Sequence, residues 1–207
     1  MRGWSASDVP DLSGRRAVVT GATSGLGLET ARVLALHGAE VVMTARDAAR
    51  GDEAVRRVRA AAPGAAVVAG TLDLADLDSV RAFAADQPPL DLLVNNAGVM
   101  ALPGREVTLD GFERQVGTNH LGHFALTGLL LPALLARPGA RVVTVSSMVH
   151  WSGVMTVDDL LSERQYDPWQ AYARSKLANL LFVRELDRRA RAAGADLVSV
   201  AAHPGYA

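Results

Sequence analysis

Apolar and polar positions follow two rhythms along this chain, and the rhythms take turns. The runs RRAVVT (15–20), AEVVMTA (39–45), AAVVAGT (65–71), LDLLVNN (90–96), ARVVTVSS (140–147) and ADLVSVAAH (195–203) are short, valine-rich and nearly unbroken in apolar character. Strands buried on both faces of a sheet require that pattern. Between them lie stretches of helical spacing: GLGLETARVLALHG (25–38), closed by a glycine stop, the charged DAARGDEAVRRVRAAA (47–62), ADLDSVRAFAAD (75–86), a long segment over about 108–136, and another over about 169–193. Such alternation predicts βαβ crossovers and an α/β fold, a doubly wound parallel sheet with helices on both faces. No linker, repeat or low-complexity stretch interrupts it, so one domain over 1–207 is expected.

Composition narrows this picture. The 207 residues are 49% apolar and 21% charged, enough for a sizeable core in a globular domain. A net charge of −1 gives no reason to expect nucleic acid or an anionic membrane as partner. Without cysteine there are no disulfides, thiol nucleophiles or cysteine-bound metals. The most apolar run, LGHFALTGLLLPALLA (121–136), contains His123 and Pro132 and falls short of the ~20 residues of a membrane span; it reads as a buried helix. The opening MRGWSASDVP lacks the apolar stretch of a secretory signal, and a cytoplasmic protein is expected. His120 and His123 lie three apart without nearby carboxylates on that helix face, so no metal site is expected. The chain has no isoleucine, four asparagines and a single lysine, while alanine and arginine abound. A GC-rich coding sequence explains the bias, and a residue rare under it carries more information than a common one.

TGATSGLG (20–27) joins the first strand to the first helix. Gly21 lets the chain leave the strand sharply, and Gly25 and Gly27 remove side chains where a phosphate and the packed helix come close. The helix N-terminus offers free N–H groups and its positive dipole end to a pyrophosphate. A glycine-rich turn with only a packing role is the competing reading, and the position at the first strand–helix junction disfavours it. The second strand ends in TARD, with Arg46 placed 19 residues past Gly27. An arginine there holds a 2′-phosphate and an acid holds a free ribose. Asp47 could argue for NAD, but as the first residue of the next helix it reads as an N-cap, so NADP(H) is expected over NAD(H). Ser24 could add a hydroxyl to the same phosphate. Asp73 and Leu74 follow the third strand, and NNAG (95–98) the fourth. Both sit at carboxyl ends of strands, where such sheets bind ligands; a helix cap at Asp73 and an Asx turn at Asn95–Asn96 are the bland alternatives.

The single lysine stands in YARSK (172–176). Residues four apart share one helix face, so Tyr172 and Lys176 point the same way. A phenol is a poor proton donor or acceptor at neutral pH, and a neighbouring ammonium favours the phenolate. A compact point charge does this where the wide arginine fork cannot sit under both a phenol and a sugar hydroxyl. A surface tyrosine–lysine pair is the alternative when the motif is taken alone.

Together TGATSGLG, Asp73, NNAG, Asn119, VSS (145–147), YARSK and HPG (203–205) resemble the short-chain dehydrogenase/reductase family over essentially the whole chain. The resemblance implies a Rossmann-like sheet of order 3-2-1-4-5-6 and hydride transfer between a nicotinamide and a small-molecule carbonyl or alcohol. It makes Tyr172 the general acid or base, has Lys176 favour its ionisation and bind the nicotinamide ribose, places Ser147 on the substrate oxygen, and gives Asn119 a water that relays protons to the lysine. Ser147 is chosen over Ser146 as the last of the pair. The implied cofactor set is Gly21, Ser24, Gly25, Leu26, Gly27, Arg46, Asp73, Leu74, Asn95, Asn96, Ala97, Gly98, Val145, Tyr172, Lys176, Pro204 and Gly205. It also implies a homodimer or homotetramer, here through the apolar 121–136 helix. A catalytically silent nucleotide-binding regulator, and an isomerase or dehydratase on the same fold, are the competing functions.

Two features depart from the pattern. Tyr172 follows Ser147 by 25 positions, and the additional segment 148–171 resembles the retinol-dehydrogenase-like and protochlorophyllide-reductase-like branch. Its Trp151, Met155, Tyr166 and Trp169 could either wall an apolar pocket or pin a long loop. The sequence stops at HPGYA, where the family continues with a segment over the substrate and a seventh strand. With the seventh strand absent, an exposed sixth-strand edge and a pocket open on one side are expected.

Overall fold

The computed structural model describes residues 5–85 and 87–205. Neighbouring residues of a strand point to opposite faces of a sheet, and the valine pairs of this chain supply an apolar residue to each. In β1 (Arg16–Val19) Val18 joins one core cluster while Ala17 and Val19 join the other; in β2 (Glu40–Ala45) Val42 parts from Val41 and Met43 in the same way. With β3 (Val67–Thr71), β4 (Leu92–Asn95), β5 (Ala140–Val145) and β6 (Leu197–Ala202), they form a sheet of order β3-β2-β1-β4-β5-β6, parallel throughout. Register puts Val18 level with Val42 on one side and Leu93 on the other. This is the expected doubly wound order.

Helices α1 (Gly25–Leu36) and α2 (Ala48–Ala61) cover the face that carries Val19, Val41 and Met43. The opposite face is covered by α3 (Leu77–Ala84), α5 (Gly122–Leu135) and α6 (Pro168–Ala192), and Leu126, Leu130 and Leu134 of α5 are fully buried against Val18, Leu93 and Val142. Each such side chain contributes about 1.5–3 kcal/mol by leaving water. The run 121–136 is therefore a core-covering helix, as its composition suggested. The two edge strands differ from the expected unbroken burial. In β3 only Val67 is buried, and in β6 Val198 and Val200 remain 38% and 42% exposed, because an edge strand has a covering helix on fewer sides.

Two helix limits also differ from the sequence pattern. The helix expected over 75–86 begins at Leu77, with Asp76 accepting the Asp78 N–H as its cap; Asp86 lies outside the described residues. The long helix expected from about 108 begins only at Arg114. Gly111 takes a left-handed φ of +83°, the Thr108 hydroxyl accepts the Phe112 N–H, and the Glu113 carboxylate caps the N–H groups of Gln115 and Val116. Turn chemistry thus interrupts an otherwise helical pattern. The chain then makes one α-helical turn, α4 (Arg114–Val116), and a π-helical turn (Gly117–Leu121) before entering α5. Asn119 lies in the π turn, where the poor helix former is accommodated. The N-terminus of α6 is set by Asp167, which accepts the Gln170 N–H, and by Pro168 at its first turn.

Candidate active site

Parallel strands bring their carboxyl ends to one rim, and the chemically marked residues collect there. A cavity of about 640 Å³ lies between the glycine loop, the end of β2 and the turns after β3 and β4. A second, of about 410 Å³, lies between the turn after β4, the end of β5 and α6. The two share Leu26, Asn96, Gly98 and Val99, so they meet at the centre of the rim.

The first cavity fits a dinucleotide. Gly25 holds φ +54° at the first residue of α1, with open space where a Cβ would stand, and Ser24 precedes it without using its hydroxyl as a cap. Gly27 lines the cavity and also has a packing reason to be glycine: its Cβ would collide with the Asn96 side chain and the Gly21 carbonyl oxygen, so the loop closes on itself and on the turn after β4. Arg46, Asp47 and Arg50 line the outer end of the cavity. Asp47 Oδ1 accepts the Arg50 N–H at 2.8 Å, which makes it the cap of α2 and commits that oxygen to the helix. Asp73 and Leu74 line the middle; Asp73 Oδ1 accepts the Ala75 N–H, and the α3 cap is Asp76.

Asn95 and Asn96 have separate tasks. Asn95 lines neither cavity. Its side chain is buried and donates to the Thr127 hydroxyl at 3.0 Å, which ties β4 to α5. At Asn95, expected as a cofactor contact, strand alternation directs the side chain into the core toward α5. Asn96 lines both cavities, and its amide donates to the Thr20 carbonyl at 2.8 Å. The Thr20 hydroxyl accepts the N–H groups of Asn96 and Ala97 at 2.8 and 2.9 Å. Thr20 is a hub that the sequence pattern did not single out.

Thr20 connects onward to His123, which is fully buried. The Asn119 carbonyl can only accept, so His123 Nδ1 carries the proton in their 3.0 Å hydrogen bond. Burial lowers the imidazole pKa to about 4, so the ring is neutral and Nε2 accepts the Thr20 hydroxyl proton at 2.8 Å. The Asn119 side chain is also fully engaged: Oδ1 accepts the Val99 N–H, and Nδ2 donates to the Val99 carbonyl and the Ser175 hydroxyl, all within 2.9 Å. The turn after β4 is thus held rigidly between β1, the π turn and α6.

Ser147, Tyr172 and Lys176 line the second cavity with Val145, Pro204 and Gly205. Lys176 is 4% exposed; its Nζ donates to the Val145 carbonyl at 3.0 Å and lies 5.7 Å from the Tyr172 ring centroid. Burial pushes the ammonium down to about 8. The two serines differ. Ser146 is buried and donates its hydroxyl to the Lys176 carbonyl, whereas Ser147 Oγ accepts the Val149 N–H at 3.3 Å and lines the cavity half-buried.

Of the aromatics in 148–171, Trp169 lines this cavity and meets Tyr172 edge-on, with centroids 6.2 Å apart. Trp151 is 81% exposed, Met155 lines neither cavity, and Tyr166 donates to the Leu102 carbonyl. The segment is thus part wall and part pinned loop. Arg174 pins it from α6, donating to the carbonyls of Val154, Asp159 and Leu160 and to the Ser162 hydroxyl. Several cavity residues escape the sequence pattern, among them Val99, which lines both cavities. Arg50, four residues past Arg46, was signalled only by that spacing; Thr118 adjoins Asn119, and Met100 follows the NNAG turn. Among the described residues there is no group of three or more His, Asp or Glu that could hold a metal, and no helix is long and apolar enough to cross a membrane.

The short chain dehydrogenase family model matches residues 15–207, and the chain belongs to that family. It is 46% identical over 198 residues to retinol dehydrogenase 12 of Homo sapiens, covering 94% of this chain and 62% of that one. It is 49% identical over 205 residues to polyprenol dehydrogenase of Mus musculus, covering 95% and 61%. The chain therefore spans somewhat less than two thirds of the length of these relatives. The crystal structure of an uncharacterized protein from Mycobacterium paratuberculosis is similar with a TM-score of 0.92 and 53% identity, covering all of this chain and 74% of that one. A short chain dehydrogenase/reductase of Burkholderia phymatum in complex with NAD superposes with a TM-score of 0.76 at 27% identity, over 96% and 68% of the two chains. A metagenomic short-chain oxidoreductase in complex with NADP gives 0.72 at 27% identity, over 94% and 83%.

Proposed function

We propose that this chain, as one dinucleotide-binding domain, is an NADP(H)-dependent oxidoreductase that interconverts a carbonyl and an alcohol, with Tyr172 as general acid and base. The observation that carries the reading is that Ser147, Tyr172 and Lys176 share one cavity, and that this cavity meets the glycine-loop cavity at Leu26, Asn96, Gly98 and Val99. A nicotinamide dinucleotide, when bound, supplies or takes up the hydride. The protein's residues supply orientation and the proton. Ser147 Oγ takes the Val149 N–H as acceptor, which leaves its own proton for the substrate oxygen. Tyr172 gives a proton to the carbonyl oxygen in reduction and takes one from the alcohol in oxidation. Lys176, charged below about pH 8 and 5.7 Å from the Tyr172 ring centroid, supplies positive charge beside the phenol. Because the Asn119 amide is committed to Val99 and Ser175, a relay water held by Asn119 would donate to its main-chain carbonyl, which also accepts from His123.

The preference for NADP(H) is supported by Arg46 and Arg50 at the outer end of the first cavity, and by the engagement of Asp47 as a helix cap. The substrate is a small molecule with an apolar group beside the reacting carbon, supported by Met100, Met148, Val149 and Trp169 in the second cavity. A homodimer or homotetramer through α5 and α6 is part of the proposal. Phe124 is 56% exposed there and forms an aromatic cluster with His120 and Phe182. So is a cytoplasmic setting, since a chain without cysteine has no disulfide that needs an oxidising compartment.

Tyr172→Phe tests the chemistry. NADPH consumption with a panel of aldehydes and ketones should fall by about 10²–10⁴-fold, the usual contribution of general acid–base catalysis, while NADPH affinity stays within a few-fold. An unchanged rate would remove Tyr172 from the reaction.

A further inference from the structure

Gln115 is fully buried in the single turn α4, four residues before Asn119, and its amide laces two segments of the second cavity together. Oε1 accepts the Ala101 N–H at 2.8 Å, and Nε2 donates to the Pro168 carbonyl at 2.9 Å and the Tyr166 hydroxyl at 3.0 Å. The Tyr166 hydroxyl donates in turn to the Leu102 carbonyl at 2.8 Å, a second strap between the same segments. Ala101 has φ +49°, a left-handed conformation that a residue bearing a Cβ keeps only when its surroundings hold it. The neighbours of the two bonded residues are Met100 and Trp169, both of which line the cavity, and Trp169 meets the Tyr172 ring. An apolar side chain of similar size would fill the same volume but take the acceptor from the Ala101 N–H and remove the link to the Pro168 carbonyl.

We propose that Gln115 is a positioning residue: through Ala101 and Pro168 it sets the placement of Met100 and Trp169, and Trp169 then selects the shape of the group attached to the reacting carbon. The inference rests on the oxidoreductase reading above. Its test compares benzaldehyde with cyclohexanecarbaldehyde, which carry the same number of carbons on a flat and a puckered ring. In NADPH-dependent reduction, Gln115→Leu should lower the benzaldehyde-to-cyclohexanecarbaldehyde ratio of kcat/KM by about fivefold, a modest change for a reshaped apolar pocket, with NADPH affinity unaltered. Trp169→Leu should lower the ratio similarly, and the double variant no further, because both act on one wall. A Gln115→Leu protein that melts earlier but keeps the wild-type ratio overturns the proposal, as does a double variant whose losses multiply. If Gln115→Leu does not fold, Tyr166→Phe removes the strap to Leu102 and the Gln115–Tyr166 hydrogen bond but keeps the Gln115 bonds to Ala101 and Pro168; the ratio should then fall about twofold, and an unmoved ratio again overturns it. If the wild-type chain consumes no NADPH with either aldehyde, the oxidoreductase reading falls by itself. The same variants are then scored calorimetrically by their relative affinity for benzyl alcohol and cyclohexylmethanol, where a wild-type ratio in Gln115→Leu refutes the clasp and a lowered one supports it.

Discussion

At the scale of single residues, Lys176 shows how a buried charge weighs on the fold. Its ammonium is buried beside the Val145 carbonyl, and desolvation lowers its pKa from 10.5 to about 8. Above 10.5 both native and unfolded chains hold a neutral amine. Between about 8 and 10.5 the unfolded chain binds a proton that the native chain does not, so stability rises with pH through that window; below about 8 the full cost of burying the charge is present. A displacement of this size corresponds to roughly 3 kcal/mol. Unfolding free energies by denaturant at pH 7 to 10, without cofactor, should therefore show the wild type gaining on Lys176→Met as pH rises. Parallel curves for the two proteins would mean the amine is solvated. The same local physics decides which residues were legible. The Tyr172–Lys176 spacing needs only a helix to bring both groups to one cavity, and Asp47 needs only a helix start to become a cap. Asn95 and Asn96 are identical in sequence terms, and only the facing of β4 separates a core amide from a rim amide. Gln115 carries no mark in the sequence; its side chain is engaged by Tyr166 and Pro168, more than fifty residues away.

At the scale of elements, the two glycines of α5 make opposite predictions. A Cβ on Gly122 would collide with the Leu74 carbonyl oxygen and stand 3.0 Å from Leu74 Cβ, whereas one on Gly128 would meet nothing within 4 Å. Gly122→Ala forces helix and turn apart and should cost about 1–3 kcal/mol, the usual range for overpacking. Since Leu74 lines the first cavity, where the dinucleotide is proposed to bind, NADPH affinity should fall with it. Gly128→Ala, exposed on the same helix, should instead stabilise by up to about 1 kcal/mol through helix propensity. Equal effects in chemical denaturation would show that α5 does not pack on the turn after β3 as described. Strand–helix alternation made the elements and their order readable because each period is a local property. The start of the helix before Asn119 was not readable, since Asp110 accepts the Leu77 N–H across the fold and Gly111 turns the chain where periodicity alone continues the helix.

At the scale of the whole molecule, the joined cavities make cofactor binding a property of fold stability. A ligand that binds only the native state adds about 2.7 kcal/mol when present at a hundred times its Kd. For a chain of this size each kcal/mol moves Tm by about 2–4 °C, so saturating NADPH should raise Tm by roughly 5–10 °C. Arg46 and Arg50 stand where the two dinucleotides would differ, at the end of the cavity remote from Tyr172. Arg46→Ala should therefore reduce the NADPH-induced shift to the level of the NADH-induced one and leave the latter as it was, because NADH carries no 2′-phosphate to lose its partner. If both shifts fell together, Arg46 would be supporting the cavity rather than reading the phosphate. If neither moved, the discrimination would lie elsewhere on the rim, and the assignment to NADP(H) would lose its physical basis while the parallel sheet and the Tyr172 cavity stayed in place.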